Sequence, residues 1–143
     1  MAYVKIMVHV VWSTKIRHPF LTKEIRSMVI QHIKENAKRK QIFIDCLNGY
    51  TEHLHCLLGL NADMSIGKTV QLLKGESSFW INQQKLVNTK FEWAEDYFAV
   101  SVSESMVNKV RAYIYGQEEH HKNIPFGVEY EEFIKKYGFE SQG

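Results

Sequence analysis

The feature that most constrains the fold of this chain is the order in which two apolar periodicities follow one another. Apolar residues recur at every second position in four segments, which is the pattern of half-buried strands. These segments are 4–12, 42–47, 53–60 and 98–102. Between the first and second, and between the third and fourth, apolar residues recur at helical spacing. The sequence therefore predicts the order β-α-β-β-α-β.

This order is the split βαβ, or ferredoxin-like, arrangement of an α+β protein: an antiparallel four-stranded sheet with two helices on one face. The first helix begins after an N-cap at Thr22 and ends in a basic turn at residues 38–40, which favours the helix dipole over DNA binding as its explanation. The second begins near Ser65, with a break or kink predicted at Gly75. A third, long helix is predicted from Ser103 or Ser105 to about His121. Residues 125–143 indicate a short terminal helix.

Composition excludes several classes of protein. The 143 residues are 45% apolar and 24% charged, as expected of one soluble globular domain spanning 1–143. There is no uninterrupted apolar stretch of 18 residues, so no transmembrane helix is expected, and the first residues lack the pattern of a signal peptide. Cys46 and Cys56 lie in apolar runs, which favours a reducing, cytoplasmic location. The net charge of +2 neither demands nor excludes a nucleic-acid partner.

Two histidines share one face of the third predicted strand. His53 and His55 are two residues apart, so both side chains project from the side opposite Leu54 and Cys56, which must face the apolar core. Two imidazoles side by side can bind one metal ion. They can equally be surface or partly buried residues whose nitrogens are satisfied by hydrogen bonds, because two residues make a short motif.

A tyrosine and a glutamine share one side of the last long helix. Tyr113 and Gln117 are four residues apart and lie within or beside an apolar stripe formed by Met106, Val107, Val110 and Ile114. A hydroxyl and an amide on the inward side need partners, because burying each of them unpaired costs about 1–3 kcal/mol. Hydrogen bonds to loops would satisfy both groups without any catalytic role.

Taken together, these motifs resemble the single-tyrosine transposases of the HUH superfamily, which the smallest bacterial and archaeal insertion sequences encode. His53-Leu54-His55 matches two histidines around a hydrophobic residue, and 113–117 reads Tyr-Ile-Tyr-Gly-Gln. Glu52 departs from the aspartate that the family often shows before the first histidine. The remaining similar segments are Val10–Lys15 with Arg17, Leu73-Lys74-Gly75 with Ser77-Ser78, Tyr97-Phe98 and His120-His121.

The resemblance implies a ferredoxin-like fold, a homodimer and transesterification on single-stranded DNA, with hairpin-bearing strands at the ends of the element. It implies a catalytic tyrosine at Tyr113 and metal ligands at His53, His55 and Gln117. Two imidazoles and an amide oxygen are compatible with Mg²⁺ or Mn²⁺, although imidazoles favour transition metals. A metal ion would stabilise charge on the phosphate oxygens, and a phosphotyrosine link, expected at the 5′ end, would conserve the energy needed to rejoin the strand.

Tyr115 is the rival nucleophile, but it lies about 200° around the helix from Tyr113 and is followed four residues later by Glu119. His9 is either a residue that supports the metal ligands or a surface histidine, and His120 and His121 are left outside the predicted site. Basic residues that could contact DNA, or be ordinary solvated charges, are Lys15, Arg17, Lys68 and Lys74.

Three other functions fit parts of this pattern. A domesticated relative acting on chromosomal repeat hairpins would use the same catalytic residues. A non-catalytic RNA-binding module would need exposed aromatic residues on the central strands. In a metal-dependent hydrolase that uses water, Tyr113 would be structural.

Overall fold

The computed structural model describes residues 1–138 and contains a four-stranded antiparallel sheet in the order β2-β3-β1-β4. The strands are β1 (Met7–Ser13), β2 (Phe43–Gly49), β3 (His53–Gly59) and β4 (Phe98–Val102). The helices are α1 (Lys23–Arg39), α2 (Ile66–Gln84), α3 (Val107–Tyr115), α4 (Gln117–Asn123) and α5 (Phe126–Tyr137). The predicted α+β class and antiparallel sheet are confirmed.

One face of the sheet packs against α1 and α2 and forms the apolar core. Val10 of β1 and Leu54 and Leu58 of β3 are completely buried there, against residues of α1 and α2 such as Val29 and Ile81. The two helices begin at the predicted caps: the Thr22 hydroxyl accepts a hydrogen bond from Ile25 N, and the Ser65 hydroxyl accepts one from Lys68 N.

The opposite face is covered as well. Met7, Cys46 and Leu57 of the sheet pack there against Val107 and Ile114 of α3, and the chain then turns so that α5 lies across the same face. The sheet is therefore the middle layer of three.

Several predicted boundaries are wrong. β1 begins at Met7 and not at Val4, because its pairing with both neighbouring strands begins there. The α2 helix continues through Gly75 without a break. β2 continues through Gly49, where an added Cβ would lie 2.1 Å from the His53 carbonyl oxygen, so only glycine permits this close approach of the strands.

The predicted long helix to His121 is divided at Gly116, which ends α3 and precedes α4. It also begins later than predicted: Met106 is 43% exposed and lies in a short 3-10 turn before Val107. The Ser103 and Ser105 hydroxyls contact each other, and Ser103 makes no capping hydrogen bond. The terminal helix predicted within 125–143 is present as α5, and positions 139–143 lie outside the described residues. Within 1–138, none of the helices has the length and apolar character needed to cross a bilayer.

Candidate active site

Three histidines lie on the face of the sheet opposite the α1/α2 core. His53 and His55 of β3 are completely inaccessible to solvent, and His9 of the neighbouring strand β1 is 6% exposed. The prediction that the paired histidines point away from the apolar core is confirmed. The alternative of surface or partly buried residues satisfied by hydrogen bonds is wrong in the degree of burial, although hydrogen bonds are present at both rings. They are buried because α3, α4 and α5 cover this face.

Each histidine of the pair is held by its Nδ1 atom. The His53 Nδ1–H donates to the Glu52 carboxylate over 2.7 Å, and His55 Nδ1 lies 2.9 Å from His9 Nε2 in a hydrogen bond. Glu52, which departs from the resembling family's aspartate, still supplies the carboxylate. These contacts leave both Nε2 atoms directed towards α5, where both approach Glu129. A histidine that binds a metal ion through one ring nitrogen typically has its other ring nitrogen held by a hydrogen bond in this way.

Gln117 and Tyr113 reach the same space from the helical side. Gln117 is completely buried, with its Oε1 3.0 Å from His53 Nε2 and its amide nitrogen donating to the Tyr113 carbonyl over 3.3 Å. The ring of Tyr113 packs edge-on against His55, with 5.5 Å between centroids. The structure thus brings together all four residues predicted for the site within one chain. Their roles stay predictions. Tyr115 is 60% exposed.

A carboxylate that the sequence analysis missed lies at the centre of this cluster. Glu129, in the first turn of α5, is 2% exposed, with Oε1 3.0 Å from His55 Nε2 and 3.5 Å from His53 Nε2. Its Oε2 accepts a hydrogen bond from the Tyr113 hydroxyl. The sequence does contain a signal for this residue: Glu129 lies four residues before the apolar Phe133, so both side chains lie on the inward side of the terminal helix.

His120 and His121 also approach Glu129, although neither was predicted to belong to the site. Their Nε2 atoms lie 3.1 Å and 3.3 Å from Glu129 Oε2. The His121 ring is held by its Nδ1–H, which donates to the Ile124 carbonyl over 2.6 Å. In the described chain, two groups of side chains could therefore hold a metal ion: His53, His55 and Glu129, or His120, His121 and Glu129.

Burial and the neighbouring side chains together determine which of these groups are charged. Burial lowers the pKa of His55 to about 3 and that of His9 to about 4, so both rings are neutral at pH 7, the form in which an imidazole can bind a metal ion. Burial tends to raise the pKa of Glu129, but the neighbouring imidazoles of His121 and His55 outweigh it and keep the pKa well below its usual value. Burial and the neighbouring Glu129 raise the pKa of Tyr113 above that of a free phenol.

The basic residues predicted to contact DNA have different environments. Lys15 is paired with Glu92, and Lys68 is exposed. Lys74 donates to the carbonyl oxygens of Ala94 and Glu95, so its charge stabilises a loop of the protein. The guanidinium of Arg17 lies over the Phe126 and Tyr130 rings of α5.

Two lysines that the sequence analysis did not consider line the same cleft as Tyr113. Lys109 of α3 and Lys136 of α5 line a cleft between these helices, and Tyr113, Glu129 and Phe133 lie along the same cleft.

The cluster brings paired imidazoles, an amide and a phenol to one face of a ferredoxin-like sheet, which are the residue types that the resemblance to single-tyrosine HUH transposases implies. The sequence profile of the family described as "Transposase IS200 like" matches residues 2–117. The chain belongs to this family.

Individual relatives agree with the family assignment. The chain is 23% identical over 116 residues to the ISDra2 transposase TnpA of Deinococcus radiodurans, covering 78% of this chain and 83% of the relative. A crystal structure of a candidate transposase from Deinococcus radiodurans R1 superposes with a TM-score of 0.66 at 25% identity, covering 82% of this chain and 95% of that one. A REP-associated tyrosine transposase bound to a REP hairpin has the same fold, with a TM-score of 0.63 at 16% identity over 87% of this chain and 73% of that one.

Proposed function

We propose that this chain is a transposase that cleaves and rejoins single-stranded DNA at insertion-sequence ends through a 5′-phosphotyrosine intermediate on Tyr113. One observation carries the proposal. The phenol that would attack and the two imidazoles that would hold a metal ion contact the same buried carboxylate, although they come from α3 and β3. Nothing in a purely structural role requires these groups to converge.

A divalent ion, Mg²⁺ or Mn²⁺, would be held by His53, His55 and Gln117. The donors fit such an ion because they are imidazole nitrogens and an amide oxygen, with His53 Nε2 and Gln117 Oε1 only 3.0 Å apart. When bound, the ion supplies positive charge to the non-bridging oxygens of the phosphate.

The protein itself would orient the nucleophile. In cleavage, the Tyr113 oxygen forms a bond to phosphorus while the bond from phosphorus to the 3′ oxygen breaks, leaving a 5′-phosphotyrosine and a 3′-hydroxyl. A 3′-hydroxyl attacks the phosphotyrosine in the reverse step, which restores Tyr113. Because the pKa of Tyr113 is raised, the phenolic proton must be removed as the new bond forms. That proton faces Glu129 Oε2.

The strand would reach Tyr113 through the cleft between α3 and α5. Lys109 and Lys136 line this cleft and can neutralise phosphates on either side of the scissile bond. A hairpin-bearing strand is the expected substrate, which agrees with the hairpin bound to the REP-associated relative. A homodimer is the expected assembly.

The described structure offers little support for a non-catalytic RNA-binding module. Such modules stack bases on aromatic residues of an open sheet. Here the central strands present His9 and His55, and α5 covers them with Phe133, whose ring lies 5.9 Å and 6.2 Å from the two imidazoles.

The experiment incubates the purified chain with single-stranded hairpin DNA and Mg²⁺ or Mn²⁺, then separates the products on a denaturing gel. We expect a metal-dependent, protease-sensitive covalent adduct that Tyr113→Phe abolishes and Tyr115→Phe retains. The reverse pattern would refute the choice of nucleophile. Cleavage without an adduct would indicate a hydrolase that uses water, and binding without cleavage would indicate a binding module.

A further inference from the structure

The α5 helix places a carboxylate among the proposed metal ligands, and it lies outside the part of the chain that the family profile matches, which ends at residue 117. We propose that Glu129 is a fourth metal ligand, binding through Oε1 beside His53, His55 and Gln117. This inference rests on the metal site of the proposed function and adds to it a ligand from a separate element.

The distances between donor atoms carry the proposal. Around an ion with bonds of about 2.1 Å, neighbouring ligand atoms are about 3.0 Å apart in octahedral geometry and about 3.4 Å apart in tetrahedral geometry. Glu129 Oε1 lies 3.0 Å from His55 Nε2 and 3.5 Å from His53 Nε2, and Gln117 Oε1 lies 3.0 Å from His53 Nε2. Each of these three distances is close to one of the two values expected between neighbouring ligands of one ion, and the ligand atoms of His53, His55 and Glu129 all lie within 4.8 Å of one another.

The burial of Glu129 points the same way. A carboxylate that is 2% exposed needs a cation or several strong donors. Among residues 1–138, the ion-pair contacts of Glu129 are all with histidine rings: His53, His55, His120 and His121. Neither a lysine nor an arginine of this part of the chain approaches it within ion-pair distance.

A carboxylate would also change which ions the site prefers. Two nitrogens and two oxygens, one of them anionic, suit Mg²⁺ and Mn²⁺ better than two imidazoles and a neutral amide, because oxygen donors favour these ions. Four protein ligands on a six-coordinate ion leave two positions for phosphate oxygen and water. The same carboxylate touches the Tyr113 hydroxyl with its other oxygen, so one side chain would set the distance between nucleophile and metal.

The test measures Mn²⁺ binding to the 143-residue chain by isothermal titration calorimetry, with free Mn²⁺ checked by electron paramagnetic resonance. We expect Glu129→Gln to weaken Mn²⁺ binding at least about 10-fold. The matched control is Glu131→Gln, which removes an exposed carboxylate from the same helix and should change the affinity less than twofold. Affinity equal to that of the unaltered chain overturns the proposal. Tighter binding also overturns it, because Glu129 would then be occupying the place of the ion.

His55→Ala separates this inference from the proposed function. If the unaltered chain and Glu129→Gln bind Mn²⁺ equally while His55→Ala does not bind it, only the role of Glu129 fails. If the unaltered chain binds no Mn²⁺, both fail. Should Glu129→Gln not fold, crystals of the unaltered chain soaked in Mn²⁺ decide: anomalous scattering should place the ion about 2.2 Å from Glu129 Oε1, and an ion beyond 4 Å from that oxygen on the histidines overturns the proposal.

Discussion

Both faces of the central sheet are buried, but they differ in chemistry: one is apolar, and the other carries histidines beside the apolar residues Met7, Cys46 and Leu57. Successive residues of β3 supply both faces: Leu54 and Leu58 point into the α1/α2 core, whereas His53 and His55 point towards α3, α4 and α5, and all four are completely buried. On the first face, burial is itself the stabilising interaction. On the second face, burial is costly unless each polar atom has a partner.

This difference separates the residues that stabilise the fold, on the apolar face, from those that form the proposed active site, on the polar face. The apolar face needs only side chains of suitable volume, so many sequences could supply it. The polar face needs particular donor and acceptor atoms at hydrogen-bond distances, and these come from β1, β3, α3, α4 and α5. Substitutions on the apolar face should therefore change mainly the free energy of unfolding, and substitutions on the polar face should change mainly Mn²⁺ affinity and the rate of DNA cleavage.

The largest effect is expected from His55→Ala. Removing one imidazole from the proposed metal site should slow formation of the covalent DNA adduct at least about 10³-fold, which corresponds to ~4 kcal/mol of transition-state stabilisation. Adduct formation is followed on a denaturing gel at saturating Mn²⁺, with far-UV circular dichroism to verify folding. An adduct formed by a folded variant at nearly the original rate would show that His55 has no part in the reaction.

Leu58→Ala tests the other face of the same strand. It should lower the free energy of unfolding by about 2–5 kcal/mol, because a buried leucine is replaced by a cavity in a packed core, and it should leave Mn²⁺ affinity unchanged. Urea unfolding in EDTA provides the measurement. Phe79→Ala is the control: Phe79 is 65% exposed on α2, so the change should be within about 0.5 kcal/mol. A loss of Mn²⁺ affinity in folded Leu58→Ala would show that the two faces are coupled.

His9→Phe should have a smaller effect, through His55. It removes the hydrogen bond to His55 Nδ1 and should weaken Mn²⁺ binding by about 10–100-fold, as is typical when a group that orients a metal ligand is lost. His9→Gln, whose amide can reach the same nitrogen, should recover part of the affinity. Met7→Leu changes a buried residue on the same side of β1 and serves as the control. Unaltered affinity in His9→Phe would exclude a positioning role for His9.

The parts predicted correctly from the sequence depend on local periodicity. The alternation in β3 predicts which side chains share the face with His53 and His55, and the capping residues Thr22 and Ser65 mark the true starts of α1 and α2. These features need only neighbouring residues. Tyr113 and Gln117 lie beside the histidines, as the resemblance implies, even though the helix carrying them is divided at Gly116.

The features that were missed depend on contacts between distant residues. Glu129 is 74 positions from His55, and periodicity shows that a helix has an inward side without showing what that side covers. Lys74 illustrates the same point, since its ammonium group donates to carbonyl oxygens about 20 residues away. The alternative for His53 and His55, surface or partly buried residues, underestimates their burial for the same reason, because the covering helix α5 is formed by distant residues, Phe126–Tyr137.

The smallest effect is expected at the edge of the polar face, where Arg111 of α3 makes two hydrogen bonds to Asp45 of β2, at 2.8 Å and 2.6 Å. The guanidinium lowers the pKa of Asp45. The pair therefore adds stability above the usual carboxyl pKa, about 4, and this contribution is lost as the pH falls below that value. Because Arg111 is 43% exposed, Asp45→Asn should reduce the free energy of unfolding at pH 7 by less than about 1 kcal/mol.

The comparison is urea unfolding of Asp45→Asn and the unaltered chain at pH 7 and pH 3, with exposed Asp63→Asn as the control. The difference should be smaller at pH 3 than at pH 7, because the contribution is lost as the pH falls through the lowered pKa of Asp45, and Mn²⁺ affinity should be the same in all three proteins. A difference as large at pH 3 as at pH 7 would show that it does not come from the charge of Asp45, and weakened Mn²⁺ binding in Asp45→Asn would mean that this surface pair aligns α3 with the metal site. Unchanged binding would mean that the metal ligands are held in place without this surface pair, by the buried contacts around Gln117 and Glu129.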